Sequence, residues 1–356
     1  MKSDTCDVLV IAGVGEIQEL VLATAAALDL VAVVAVDLDV VAKLWNQVGT
    51  VCVAEDFAAL TAAWALPRRG GVVLLGGSEV LLAKWSAPLD AKVIPLPAGA
   101  LWLGSILDES AGKTGTPVLA VLGGSGGVGA STLAAGVALA AAKTGRQVAL
   151  VDVDVVGGGI DLLLGVEHEE GWRWPSLASA EGYVGDLCEY LPKIAGVSVV
   201  SMARNSAEDL ASEPLTAILH SLRRSHEVVV VDVGRSLSSA CREAVRLATD
   251  HLMLVSPSIR GIAGARQVLR TFQLESATET TPSLNPAVVH LVLRGKGAAG
   301  FGATTLGETL GCPVIARLED DPTVVAAAAR GDLPWGRPRG GFRKTCSRLA
   351  SALIEG

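Results

Sequence analysis

The chain is poor in the residues from which most legible sites are built. Only 19% of its 356 residues are charged and 4% are aromatic. Its six cysteines, Cys6, Cys52, Cys188, Cys241, Cys312 and Cys346, form no C-x-x-C pair and have no histidine at metal-ligand spacing. That excludes a zinc motif or a disulfide framework readable from sequence, and predicts reduced, mostly buried thiols in a cytoplasmic protein. Positive charge is also scarce: 29 Lys and Arg stand against 37 Asp and Glu, a net charge of −8. A general nucleic-acid surface needs clustered cations, so none is expected. No uninterrupted apolar run approaches the length of a membrane span, which leaves at most peripheral membrane contact. The opening Met1-Lys2-Ser3-Asp4-Thr5-Cys6-Asp7 lacks the basic-then-apolar order of a signal peptide, again favouring the cytoplasm. His168, His220, His226, His251 and His290 have no nucleophile or metal partner visible in sequence, and no chemistry is assigned to them.

Half of the residues are hydrophobic, ample for buried parallel sheets, and the length suits two domains. Five β-rich runs, Val8–Ala12, Val31–Val36, Val51–Ala54, Val72–Leu75 and Val93–Leu96, alternate with helix-like stretches and predict a parallel, flavodoxin-type sheet over 1–108. Residues 109–116 fall in a polar, glycine-bearing stretch and are assigned as linker. The second domain is 117–356. Its strand candidates are Val118–Leu122, Gln147–Asp154, Val197–Ser201, Val228–Asp232, His251–Ser256, Val288–Leu293 and Val314–Ala316. Helices are expected at about 133–143, 213–224, 238–248, 260–273 and 322–330. No internal repeat relates the halves beyond this shared rhythm.

The segment Gly124-Ser125-Gly126-Gly127-Val128-Gly129-Ala130-Ser131-Thr132 lies between a predicted strand and a predicted helix. That is the setting of a phosphate-binding loop, in which backbone N–H groups form an anion nest and the helix N-terminus adds partial positive charge. The pattern G-x-x-x-x-G-K-[ST], however, has Ala130 where its lysine belongs. The same residues also spell G-x-G-x-x-G, with Asp152 or Asp154 downstream, so a dinucleotide-binding oxidoreductase is an alternative. Ser131-Thr132 and a buried strand ending in Asp232 favour the phosphate loop with a Walker B carboxylate.

Together these motifs resemble the deviant Walker ATPases of the MinD/ParA class, whose loop reads K-G-G-x-G-K-[ST]-T. Here Ser125 and Ala130 occupy both lysine positions. The resemblance implies ATP and Mg²⁺ as ligands, the metal held by Ser131 with Asp232 in its water shell, and Asp154 orienting an attacking water. It places Arg294 where the class reads adenine, although the accompanying asparagine is Leu293. Losing the loop lysine removes charge stabilisation of several kcal/mol in phosphoryl transfer, on the order of what one such donor supplies. Slow or absent hydrolysis is therefore expected, with Arg235 and Arg294 as candidates to replace the lost cation in part. The N-terminal half resembles a response-regulator receiver. It has Ala12-Gly13 where acids belong, Glu55-Asp56 after the third strand and Leu96-Pro97 near the lysine position, so phosphorylation is not expected and Asp56 reads as a helix N-cap.

Within the class, Gly171-Trp172-Arg173-Trp174-Pro175, the Arg330-Gly331-Asp332-Leu333-Pro334 turn and the extra N-terminal domain look most like the actinobacterial CpaE/TadZ-like septum site-determining protein Ssd family. The implied role is a localisation scaffold for septum placement or Flp (Tad) pilus and secretion assembly. Its partners would be proteins of that machinery, its homodimer ATP-independent, and its recruitment to the pole, septum or inner membrane face. A slow ATPase with nucleotide-gated dimerisation is the alternative. Trp172 and Trp174 are expected to share one face of an extended segment, as core or as partner anchor. Phe342, Cys346, Leu349, Leu353 and Ile354 fall near helical spacing and predict a docked terminal helix, against the membrane-targeting helix of MinD relatives.

Overall fold

A computed structural model describes residues 6–28, 30–111, 116–180, 184–204, 210–235, 238–276, 289–295 and 302–354. The chain divides into two compact units, Met1–Gly115 and Thr116–Gly356.

Among the described residues, the first unit carries five parallel strands, β1 (Val8–Ile11), β2 (Ala32–Val34), β3 (Thr50–Ala54), β4 (Val72–Gly76) and β5 (Lys92–Pro95), in the order β2-β1-β3-β4-β5. Five helices join them: α1 (Glu16–Ala27), α2 (Leu38–Leu44), α3 (Ala58–Ala63), α4 (Glu79–Leu89) and α5 (Ala100–Ala111). Alternation decides the packing. Val8 and Val10 enter one core layer while Leu9 and Ile11 enter the other, so the sheet is buried on both faces. All five strands lie where the sequence places them. Helix α5 runs through Ala111, so Asp108–Ala111, which composition assigns to or beside the linker, are helical; residues 112–115 lie outside the described residues.

Among the described residues, the second unit has eight strands: β6 (Val118–Gly123), β7 (Val148–Asp152), β8 (Lys193–Ile194), β9 (Val197–Val200), β10 (Val228–Gly234), β11 (Asp250–Val255), β12 (Val289–Arg294) and β13 (Val314–Leu318). Their order is β13-β12-β11-β6-β10-β7-β9-β8, parallel except for the short β8–β9 pairing. Val118, Ala120 and Leu122 point into one core and Leu119 and Val121 into the other, as a doubly covered sheet requires. The connection from β6 leaves toward β7 and that from β10 crosses to β11, so a crevice opens at the carboxyl end of β6.

The predicted helices appear as α6 (Ala130–Ala142), α9 (Ser212–Ser225), α10 (Ser239–Leu247), α11 (Ile259–Ser276) and α13 (Pro322–Arg330). Three more are unforeseen: α7 (Ile160–Leu164), α8 (Trp174–Leu177) and α12 (Ala303–Leu310). Val288, the first residue of one predicted strand, lies outside the described residues.

Helix α14 (Gly341–Ile354) closes the fold. Phe342, Cys346 and Leu349 are buried against α6, where a Cβ on Gly136 would stand 2.7 Å from both the Phe342 ring and the Cys346 Sγ. The small residue at 136 is what lets the two helices approach. The apolar stripe of α14 is thus occupied by protein. Among the described residues, no helix is long and apolar enough to cross a membrane.

Candidate functional site

The crevice at the end of β6 is built by the glycine loop. Gly124 N–H donates to Leu254 O at 2.9 Å, tying the start of the loop to β11, and Val128 is buried as its anchor. Gly127 and Gly129 have φ of +67° and +98°, the left-handed region that glycine enters without steric cost. Gly129 is the N-cap of α6 and offers no side chain, so the first-turn N–H groups are left to an external acceptor. Ala130 packs against the core beneath. Ser125, Gly126, Gly127, Ser131 and Thr132 border the resulting cleft, whose volume is about 320 Å³.

Three carboxylates close its opposite wall. Asp152 and Asp232 are neighbours in register on β7 and β10, and both are buried. Burial pushes the Asp152 carboxyl up to about 8, with the Asp232 charge adding to the effect and two backbone donors opposing it. Burial likewise raises Asp232 to about 6, while the Ser131 hydroxyl pulls it down and Asp154 pushes it up. Both carboxyls are thus harder to ionise than free ones, Asp152 more so than Asp232.

Their roles differ. Asp152 is structural: its oxygens accept from Asp154 N–H at 3.0 Å and Ile160 N–H at 2.9 Å, fixing the turn before α7. Asp232 Oδ1 is buried and has no hydrogen-bond partner among the described residues. An orphaned carboxylate oxygen beside a serine hydroxyl is a donor set that fits Mg²⁺ and its water shell. Asp154 packs over Gly234, where a Cβ would stand 2.4 Å from its carboxyl carbon; Gly234 has φ of +66°. Among the described residues, no group of three or more His, Cys, Asp or Glu is arranged to hold a metal by itself.

Arg294 lies on the outer side of the loop. Its Nε donates to Asp320 Oδ1 at 3.1 Å and its Nη1 to the carbonyls of Gly127 and Val128. It clamps the loop backbone, and with Gly129 and Thr132 it borders a separate hollow of about 50 Å³. Arg235 reaches the loop from the other side, at Gly126.

The tryptophans do not share a face. Trp174 begins α8, is buried, and donates from Nε1 to Asp152 O, whereas Trp172 is 42% exposed and stacks on Tyr190 at 4.6 Å. The segment turns into a helix between them, so the period of two that pairs alternate side chains does not apply. Sequence reasoning also missed Arg173 between them. Its Nε meets Asp161 at 3.3 Å and its Nη2 donates to the Val166 and Glu169 carbonyls, pinning the segment after α7 with help from Arg204. The Arg330–Pro334 turn ends α13 at Gly331, whose carbonyl lies against Gly165 at the end of α7.

In the first unit, Asp56 does not cap α3. Phe57 occupies the N-cap position with no side-chain bond, and Asp56 is exposed in the preceding turn. The neighbouring Glu55 instead accepts from Ser78 N–H at 2.8 Å, at the start of α4.

Residues 11–117 match the family model for the Rv3660c-like, CheY-like N-terminal domain, and residues 115–208 match the ParA model, described as NUBPL iron-transfer P-loop NTPase. The chain is 34% identical over 303 residues to the Rv3660c protein of Mycobacterium tuberculosis (strain ATCC 25618 / H37Rv), covering 82% of each. Among solved structures it resembles a ParA family ATPase from Chlorobium tepidum TLS, with a TM-score of 0.57, 16% identity and coverage of 66% of this chain and 98% of that one. The septum site-determining protein MinD complexed with Mg-ADP from Pyrococcus horikoshii OT3 aligns with a TM-score of 0.51 and 18% identity, covering 66% and 95%. At such identities these two structures speak to the fold of the second unit.

Proposed function

This chain belongs to the MinD/ParA-type P-loop NTPase family, in the Rv3660c-like branch with a CheY-like N-terminal domain, and from that premise we propose that it is a positional regulator acting as a localisation scaffold. It serves septum placement or Flp (Tad) pilus and secretion assembly, in the manner of the CpaE/TadZ-like Ssd proteins. One observation carries the reading: the loop keeps its left-handed glycines and open helix N-terminus, yet among the described residues no lysine borders the cleft. A backbone nest holds phosphate through N–H groups, but turnover needs charge placed where charge develops.

Ser131 and Asp232 would hold Mg²⁺, which when bound would neutralise phosphate charge. Asp154 would position water, while Asp152 holds the turn between β7 and α7. Without a lysine to cross a dimer interface, self-association does not depend on ATP. The test is phosphate release by the pure full-length chain, for which a background rate with and without Mg²⁺ is expected. Robust Mg²⁺-dependent release abolished by Asp154→Ala would overturn the scaffold reading in favour of a slow, nucleotide-gated ATPase.

A further inference from the structure

The loop has lost both lysines, but two arginines reach it from other elements and meet it in different ways. Arg294 has its charge offset by Asp320 and its Nη1 turned onto loop carbonyls, so it holds the loop together. Arg235 follows Gly234 at the end of β10. A Cβ on Gly126 would stand 3.1 Å from its Nη2, so the guanidinium lies on the loop at a position that has no side chain of its own. Arg235 is exposed, and among the described residues it makes no hydrogen bond or ion pair. It borders both the phosphate cleft and an adjoining groove of about 800 Å³ that runs along α11.

We propose that Arg235 is the phosphate-contacting cation of this site, delivered from β10 in place of the lysine that the loop lacks. Asp154 and Asp232 border the same cleft, so an anion bound there needs a cation beside it. A guanidinium keeps its charge at any physiological pH and offers a planar fork that pairs with two phosphate oxygens. Its approach at Gly126, in the loop ahead of the α6 N-terminus, directs it to the outer phosphates of a nucleoside triphosphate. The bare Gly126 leaves the guanidinium room to lie on the loop, since a Cβ there would crowd its Nη2 at 3.1 Å. The proposal rests on the reading that the loop still holds phosphate.

The experiment is calorimetric titration of the full chain with ATP, ADP and AMP, each with Mg²⁺, for the wild type, Arg235→Ala, Arg235→Lys and Arg294→Ala. Arg235→Ala should weaken ATP roughly ten- to a hundredfold, the range for a lost charge-assisted contact, with a smaller loss for ADP and none for AMP. Arg235→Lys should restore part of the ATP affinity. The thermal midpoint of Arg235→Ala should match the wild type, since the exposed side chain has no hydrogen bond or ion pair to lose among the described residues, whereas Arg294→Ala should weaken all three nucleotides alike by loosening the loop. If the wild type binds ATP and Arg235→Ala binds it equally well, the assignment of Arg235 is wrong and the loop reading stands. An equal loss for AMP, or a phosphate-graded loss in Arg294→Ala alone, also overturns the assignment. Absence of binding by the wild type at millimolar ATP removes the loop reading and this proposal together.

Discussion

Replacing Asp232 by asparagine should make the protein more stable at neutral pH while weakening the metal-phosphate site proposed above. The buried Asp232 carboxyl is raised from 3.8 to about 6, chiefly by desolvation, and its Oδ1 has no partner among the described residues. Holding it ionised in the folded chain thus costs about 3 kcal/mol, at roughly 1.4 kcal/mol per pH unit. Asparagine has the same shape without the charge, but its amide must also be buried, so a gain of about 1–3 kcal/mol is expected. For a unit of this size that is an upward shift of roughly 3–10 °C in the midpoint.

The pH dependence fixes the sign. The folded-state value lies above the unfolded one, so the folded wild type takes up a proton as pH falls from about 6 toward 3.8 and is stabilised relative to its unfolded state. The advantage of Asp232→Asn should be full above pH 6 and should vanish near pH 4. Differential scanning calorimetry of both proteins between pH 4 and 8 measures it. A variant no more stable at pH 7, or one whose gain is independent of pH, would refute the argument that desolvation of this carboxylate sets the cost.

Phe342→Ala should destabilise the second unit by about 3–5 kcal/mol in denaturant titration, the range for an emptied aromatic site, because Phe342 is buried against α6. Trp174→Ala should be comparably severe, losing a buried ring and its bond to Asp152 O, whereas Trp172→Ala should cost about 1 kcal/mol through its stacking on Tyr190; equal losses would contradict the separation of the two indoles. Incubation with acetyl phosphate should leave Asp56 unlabelled in intact-mass measurements, since the first strand is followed by Ala12-Gly13 and no acid pair.

The parallel sheets were legible because a strand buried on both faces must be apolar throughout: β10 reads Val-Val-Val-Val before its aspartate and β6 reads Val-Leu-Ala-Val-Leu. The glycine loop was legible because its backbone chemistry needs glycine at fixed places. What escaped were features set by long-range partners. Helices α7 and α8 span only five and four residues, too few for periodicity to speak, and α8 is held by a bond from Trp174 to β7. Asp56 carried the wrong expectation because Asp before an apolar run signals a cap, while the chain places Phe57 there and uses Glu55 on α4. The separate fates of Arg235 and Arg294 depend on Gly126 and Asp320, and neither pairing has a local sequence signal.

Helix α6 is buried without interruption from Leu133 to Ala141, and part of its cover is α14, which comes from the far side of the sequence. A chain growing on the ribosome therefore releases the loop helix long before the helix that seals it. During that interval a run of alanine, leucine and valine stands open to other chains, and the nest at its N-terminus rests on an unpacked support. Synthesis halted before Gly341 would leave a species with its sheet strands present and its phosphate loop unbacked, prone to association through α6. The support beneath the loop is complete only once Phe342 and Cys346 arrive beside Gly136.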